Sequence, residues 1–329
     1  MAVLNFLVNT LPAYVQTNRD VILSNFALVG RDTRSRIGVQ TGIKKSAYLN
    51  YLNVQPVLQD GNNCVFNPLD SITLTQREIN VAIFKVDGEI CDKTLVGKYA
   101  EYLVRINANE NDLPFERYIV DGLVAEINKA IERVIWQGNT SAQSNPDLIN
   151  GFLTQFGSDN SVVKVSIASG ASAYAGISQV YAAMTEEAIE RGALIFVAPA
   201  IFRAFMMEMV ALNLFHYSGA VNDDPDEFIL PGSSARVVKT PGLAGSLKIV
   251  GTFGDNLVYG TDMENDEEDF LIDFDRKNRT WYYHAEWASG VAYHFPAHIV
   301  QGTFAAAPVA PAPGTTALNT IASNTTPTT

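Results

Sequence analysis

The residues best suited to chemistry are the eight of Asp262–Asp269, DMENDEED, because clustered carboxylates can hold a calcium ion. The run lacks the glycine-containing order of an EF-hand loop. It reads as a solvated hairpin tip, with a divalent-ion site as the alternative. His294 and His298 have the i, i+4 spacing of a helical metal pair, but Pro296 lies between them and prevents a regular helix. They read as strand-end residues. SGASAYAG, Ser169–Gly176, is neither a G-x-G-x-x-G nor a Walker loop, so it predicts a tight strand-to-helix turn rather than a phosphate cradle. No G-x-S-x-G elbow occurs. Cys64 and Cys91 form no C-x-x-C pair and read as reduced, buried thiols; a bridge would require their strands to pair. Asn139-Thr-Ser and Asn278-Arg-Thr match glycosylation sequons without a secretory signal to give them meaning. The sequence therefore predicts no catalytic residue, no cofactor and no metal.

The surrounding composition is that of a globular protein. Of 329 residues, 47% are hydrophobic and 18% charged, a length that suggests two compact units. The formal charge of -12 opposes sequence-specific gripping of a phosphate backbone. No run approaches the ~20 apolar residues of a membrane span.

Residues 1–36 read as a loosely structured arm, with positive charge concentrated in GRDTRSR, Gly30–Arg36. From Ile37 to about Ile90 the pattern is strand-like around DGNN, Asp60–Asn63, and the Asp60-Gly61 step is a hairpin signal. Both arms are long and polar, which argues against burial on both faces. Asp112 and Pro114 then start a helix that Gly138 stops. Phe115, Ile119, Leu123, Ile127, Ile131 and Ile135 recur every fourth residue and end beside Trp136. Glu116, Arg117, Glu126, Lys129, Glu132 and Arg133 are expected off that stripe. A stripe advancing by four disfavours a coiled coil, so the helix is expected to pack one side onto a sheet.

Beyond residue 157 the order is strand VVKVSIA, a helix from Ile177 to Ile189 closed by Gly192, strand ALIFVA and a helix opened by Pro199. Strands follow at LKIVGTF, NLVYG, DFLIDFD and TWYYHAEW, with SGVAYHF expected as the last. After Phe304 the chain is an uncharged Ala/Pro/Thr tail, unable to build a core and expected to dock on a surface.

This order of parts resembles the major capsid proteins of tailed bacteriophages, with their Hong-Kong-97-type α+β fold. ITLTQREINVAIFKVDGEICDKTL resembles the strand pair leading from the E-loop into the P domain. EINKAIERVIWQGN and DLINGFLTQF resemble the end of the spine helix and the crossing to the A domain. ALIFVAPAIFRAFM is similar to an A-domain strand and helix, and NLVYGTDMENDEEDFLIDFD to the returning strands. The resemblance implies an N-terminal arm at 1–36, an E-loop hairpin at 37–72, a P domain with spine helix at 73–156 and an A domain at 157–250. Returning strands at 251–304 and a tail at 305–329 complete it.

It further implies self-assembly as hexamers and pentamers into an icosahedral shell around double-stranded DNA. Scaffolding, portal and decoration proteins would be partners, with assembly in the host cytoplasm. Shape control would come from a separate scaffolding protein or a precursor region, since no scaffold-like segment precedes the arm. Lys44 and Lys45 lie in the hairpin, where some members crosslink a lysine to an asparagine, but neither that partner nor a catalytic carboxylate is assignable. Two other readings stand beside this one: an α/β enzyme with a βαβα unit at 157–215, and another structural virion protein of the tail or portal.

Overall fold

A computed structural model describes residues 33–55, 58, 71–91, 115–142, 147–214, 226–262 and 269–308. In chain order, a 3-10 turn at Thr33–Arg36 leads to β1 (Gly38–Gln40), β2 (Ser46–Gln55), β3 (Ser71–Asn80) and β4 (Ala82–Cys91). The long helix α1 (Phe115–Gln137) and the short α2 (Phe152–Ser158) follow. Next come β5 (Val163–Ile167), α3 (Ala173–Ala182), α4 (Glu186–Glu190), β6 (Ala193–Val197) and α5 (Pro199–Ala211). The chain ends in strands: β7 (Glu227–Ile229), β8 (Arg236–Lys239), β9 (Lys248–Phe253), β10 (Leu257–Gly260), β11 (Asp269–Asp275), β12 (Thr280–Tyr293) and β13 (Val300–Phe304). The fold is α+β.

Three sheets organise the described residues. β2 and β3 form a two-stranded antiparallel hairpin, in register from Ser46 opposite Asn80 to Gln55 opposite Ser71. A second sheet runs β1-β10-β12-β11, with β4 also paired to β12, and a third runs β5-β13-β9-β6-β8-β7. The expected hairpin forms over Ser46–Gln55 and Ser71–Asn80, whereas β1 and β4, from the same strand-like stretch, pair into the second sheet, and the boundary drawn at 72 falls inside β3. The hairpin's Asp60-Gly61 turn, and Cys64, lie outside the described residues. Cys91 ends β4, exposed. Residues 1–32 of the expected arm also lie outside, as do the tail beyond residue 308 and positions 263–268 of the acidic run.

α1 spans 23 residues, about 35 Å at ~1.5 Å per residue. Ile127, Ile131 and Ile135 of its stripe are buried, as is Trp136; the side chains of Phe115 and Ile119 lie outside the described set. Two expectations fail here. Glu132 is 2% exposed, not off the stripe, because the buried arc widens at its C-terminal end to take in both Glu132 and Trp136, one turn apart. The helix also does not simply lie on one sheet. Its end is wrapped by the 3-10 turn Pro241–Leu243, where a Cβ on Gly242 would stand 2.3 Å from Glu132 O and 2.5 Å from Trp136 Cδ1. Only glycine allows this approach. Trp136 meets Phe152 of α2 at 5.3 Å and Phe196 of β6 at 5.1 Å between ring centroids.

The chain beyond residue 157 departs from the linear reading in several places. The helix expected from Ile177 to Ile189 is two, α3 and α4, broken at Ala183–Thr185, where Ala183 ends one and Thr185 starts the other. TWYYHAEW and SGVAYHF are one strand, β12, continued through the buried Ala288, Ser289 and Gly290; it pairs with β4 as far as Ser289 and with β10 from Gly290. SGVAYHF is therefore not the last strand. That is β13, inserted between β5 and β9 with Val300 and Phe304 buried. The boundary drawn at 250 falls inside β9. Ala305 N–H also bonds to Ile167 O at 3.0 Å, so truncation of the tail belongs after Ala305 rather than after Phe304.

Candidate functional site

Of the positions that looked chemical, the glycine-rich turn and His298 are occupied by structural contacts, while residues 263–268 of the acidic run lie outside the described residues. The N-terminus of α3, in the glycine-rich turn, is filled by the protein's own carboxylate: Glu208 of α5, 5% exposed, accepts from Ala173 N (3.1 Å) and Tyr174 N (2.7 Å). An anion from outside would find that place taken. The βαβα unit expected at 157–215 is not a nucleotide fold either, because β13 and β9 separate β5 from β6 and β9 runs antiparallel to β6. His298 Nδ1 pairs with Thr185 Oγ1 at 2.6 Å, and His294 is held below the ordinary histidine range by burial, against the opposing charge of Asp255. Asp262 is 4% exposed, with an Oδ1 that has no hydrogen-bond partner among the described residues. Among those residues no group of three His, Cys, Asp or Glu side chains is placed to hold a metal, and no helix is long and apolar enough to cross a membrane.

An open cleft of about 490 Å³ lies over β4, β11 and β12, lined by Asp87, Glu89, Asp273, Tyr282, Tyr283 and His284. His284 Nδ1 is bonded to Asp87, its Nε2 is 3.4 Å from Glu286, and Lys85 is 3.0 Å from Asp87. The bond to Asp87 raises the imidazole above its ordinary value, against a smaller effect of burial, with Glu286 adding to the rise. A group raised on folding stabilises fully below its unfolded value, about 6.5, and loses that contribution as pH rises through the folded value. Asp87 is held low by the bond from His284 and then by Lys85, so it stays charged across this window. We expect the Tm difference between wild type and His284→Gln to be largest below about pH 6.5 and to shrink as pH rises above it. A difference independent of pH would remove the pairing.

The best-built polar site is a clamp at the end of α1. Glu132 Oε1 accepts from Thr33 N (3.2 Å) and from Thr33 Oγ1, and Trp136 Nε1 donates to that same Thr33 Oγ1 at 2.6 Å. Arg34 bonds Asn128 at 2.9 Å and lies over the Tyr259 ring, while Arg36 pairs with Glu227 at 2.7 Å. The basic end of GRDTRSR is thus fastened into the body instead of being left as a charged arm. The i, i+4 pair Glu132–Trp136 was the available sequence signal, since a polar residue one turn from a buried tryptophan implies a partner for both.

A second site lies at the hairpin foot. Ile43, Leu49 and Ile79 are buried with Val258 and Ala292 in a small core of their own. Beside it, Arg77 of β3 stacks 4.0 Å from the Tyr293 ring and bonds Asp159 at 3.1 Å; Tyr293 donates to Asp159 at 2.8 Å. Burial pulls Asp159 upward, but bonds from Ser161 N–H, Tyr293 and Arg77 outweigh it and hold the carboxyl below its usual range. Burial and the bond to Asp159 push the Tyr293 hydroxyl up to about 12. Tyr51 of β2 meets Phe295 edge-on at 3.9 Å. Lys44 and Lys45 are exposed at this foot, far along the ladder from the tip.

No protein-family model and no curated protein sequence matches the chain. Solved structures do. The chain is similar to the satellite phage P4 procapsid including its size determination protein, at 12% identity and TM-score 0.55, covering 88% of this chain and 98% of that one. It is similar to a chain of Gordonia phage Cozz at 11% identity and TM-score 0.52, covering 85% and 91%. It is also similar to the holo-SrpI encapsulin complex of Synechococcus elongatus, at 9% and 0.53, covering 84% and 88%. Identities this low speak for the fold alone. That fold is the Hong-Kong-97-type α+β fold.

Proposed function

We propose that this chain is the major capsid protein of a tailed bacteriophage, assembling through hexamers and pentamers into an icosahedral shell around double-stranded DNA. One observation carries the reading beyond fold: the apolar phase of the hairpin ladder switches partway along it. At the foot the apolar positions are Ala47 opposite Ile79 and Leu49 opposite Arg77. Farther out they are Leu52 opposite Leu74 and Val54 opposite Ile72, which in a ladder of period two belong to the other face. The chain's own body covers the first face. On the second face the described Tyr48, Gln76 and Glu78 are exposed, and a second copy in a repeating lattice would supply the cover its apolar positions call for.

On this reading 37–72 is the E-loop, α1 the spine helix of the P domain at 73–156, and the third sheet the centre of the A domain. Scaffolding, portal and decoration proteins would then be its partners in the infected cell's cytoplasm. The net charge of -12 suits a wall along which packaged DNA slides without sequence-specific contact. Similarity to an encapsulin complex makes a protein-filled compartment the second reading. Electron microscopy of particles bearing this chain, with assay of nuclease-protected nucleic acid, separates the two. Shells containing double-stranded DNA are expected. Shells holding only protein would favour the compartment, and a chain found in no shell would overturn both.

A further inference from the structure

We propose that Arg77 and Tyr51 form a two-pin latch that fixes the angle at which the hairpin leaves the body. The covalent joints alone do not fix it. On one side Gly42, with a φ of 78°, turns the chain, Ile43 N–H bonds Thr261 O of the body at 3.2 Å, and the exposed Lys44 and Lys45 lead into β2. On the other, the single residue Val81 joins β3 to β4, its N–H bonded to Lys45 O at 3.0 Å. Between these joints the small core around Leu49 and Ile79 acts as a pivot, since packed apolar contacts resist separation but specify direction weakly.

Direction comes from the pins. Arg77 sits directly opposite Leu49 in the ladder, and Tyr51 is two residues farther out on β2, so one pin stands on each strand. Both grip the body at and just after the end of β12, Arg77 through the Tyr293 face and Tyr51 through an edge-to-face contact with Phe295, and Arg77 also bonds Asp159 at the end of α2. Tyr293 is itself immobilised, 1% exposed, against Phe156 at 5.1 Å and by its bond to Asp159. A planar guanidinium held by a ring face and a carboxylate together is fixed in orientation as well as position. Arg77 and Tyr51 are therefore positioning residues for the hairpin, and releasing them frees it to swing about Lys44–Lys45 on one side and Val81 on the other.

The use of such a latch in shell assembly rests on the capsid reading, but the latch can be tested on the unassembled subunit. Spin labels at Asn53→Cys on β2 and Glu190→Cys on α4, in a chain with Cys64 and Cys91 replaced by serine, report the hairpin-to-body distance. The unaltered latch should give one narrow distribution. Arg77→Ala with Tyr51→Ala should broaden it about twofold while the body melts at nearly the same temperature. Arg77→Lys, which keeps the charge but not the planar stack, should broaden it partway. Should the double variant fail to fold, Tyr293→Phe removes only the hydroxyl bond to Asp159 and should still widen the distribution. Unchanged distributions in the double variant, or in Tyr293→Phe where that variant is the one that folds, overturn the latch. If the latch holds but no shells form under any condition, the capsid reading fails and the latch stands.

Discussion

Trp136→Ala is expected to lower subunit stability by about 3–5 kcal/mol, the range of large-to-small changes in a packed core. The site leaves little room to collapse. Trp136 is fully buried against Phe152 and Phe196, and the Gly242 backbone is close enough to exclude even a methyl group. The substitution also takes the indole N–H from Thr33 Oγ1, which then keeps only Glu132 as partner. At an unfolding entropy of ~2.1 cal/mol/K per residue, a chain of 329 residues melting as one unit should lose about 4–7 °C in Tm. Trp136→Phe, which refills most of the volume without the donor, should recover part of the loss. A fall in Tm under about 1 °C for the alanine variant would mean that the end of α1 is not the keystone its contacts suggest.

How far such a site can be read in advance depends on whether its partners are close in sequence. The α1 stripe was legible because Ile127, Ile131 and Ile135 repeat within one helix, and the hairpin because alternation and the Asp60-Gly61 step are local signals. Glu132 was misplaced because a carboxylate on a helix ordinarily faces water; what reverses this is Thr33, distant in sequence. Gly138 shows a milder version. It does stop the helix, but through close approach: a Cβ there would lie 2.5 Å from Val134 O and 2.6 Å from Ile149 O. β12 was cut in two because Ser289 and Gly290 look like a turn, and only pairing to β4 and β10 carries a strand through them. β13 was missed since VQGTF is short and weakly patterned, and the parallel partner that secures it, β5, lies far back in the chain. The acidic run drew attention by composition alone, whereas the foot of the hairpin, built from Arg77, Asp159 and Tyr293, has no motif at all.

Replacing Val54–Asn67 by an Asn-Gly turn should abolish shells while leaving a folded subunit. The cut lies beyond every hairpin contact described with the body, since Leu49, Tyr51, Arg77 and Ile79 all remain. The variant should therefore be soluble, melt cooperatively and retain its helix content, because α1, α3 and α5 share no residue with the deleted stretch. What it loses is the outer hairpin from Val54 on, which leaves Ile72 without its partner in the ladder. A neighbour contact worth only ~1–2 kcal/mol changes a pairwise equilibrium about 5- to 30-fold, and a closed shell repeats that contact at every subunit, so a lattice can be lost without any change in the fold. Sedimentation should show monomers or isolated capsomers under conditions where the full chain closes into particles. An internal hairpin would behave oppositely, since its removal would unfold the protein. Normal shells from the variant would show that the outer hairpin contributes nothing between subunits, and the capsid assignment would then have to find its lattice contacts elsewhere on the chain.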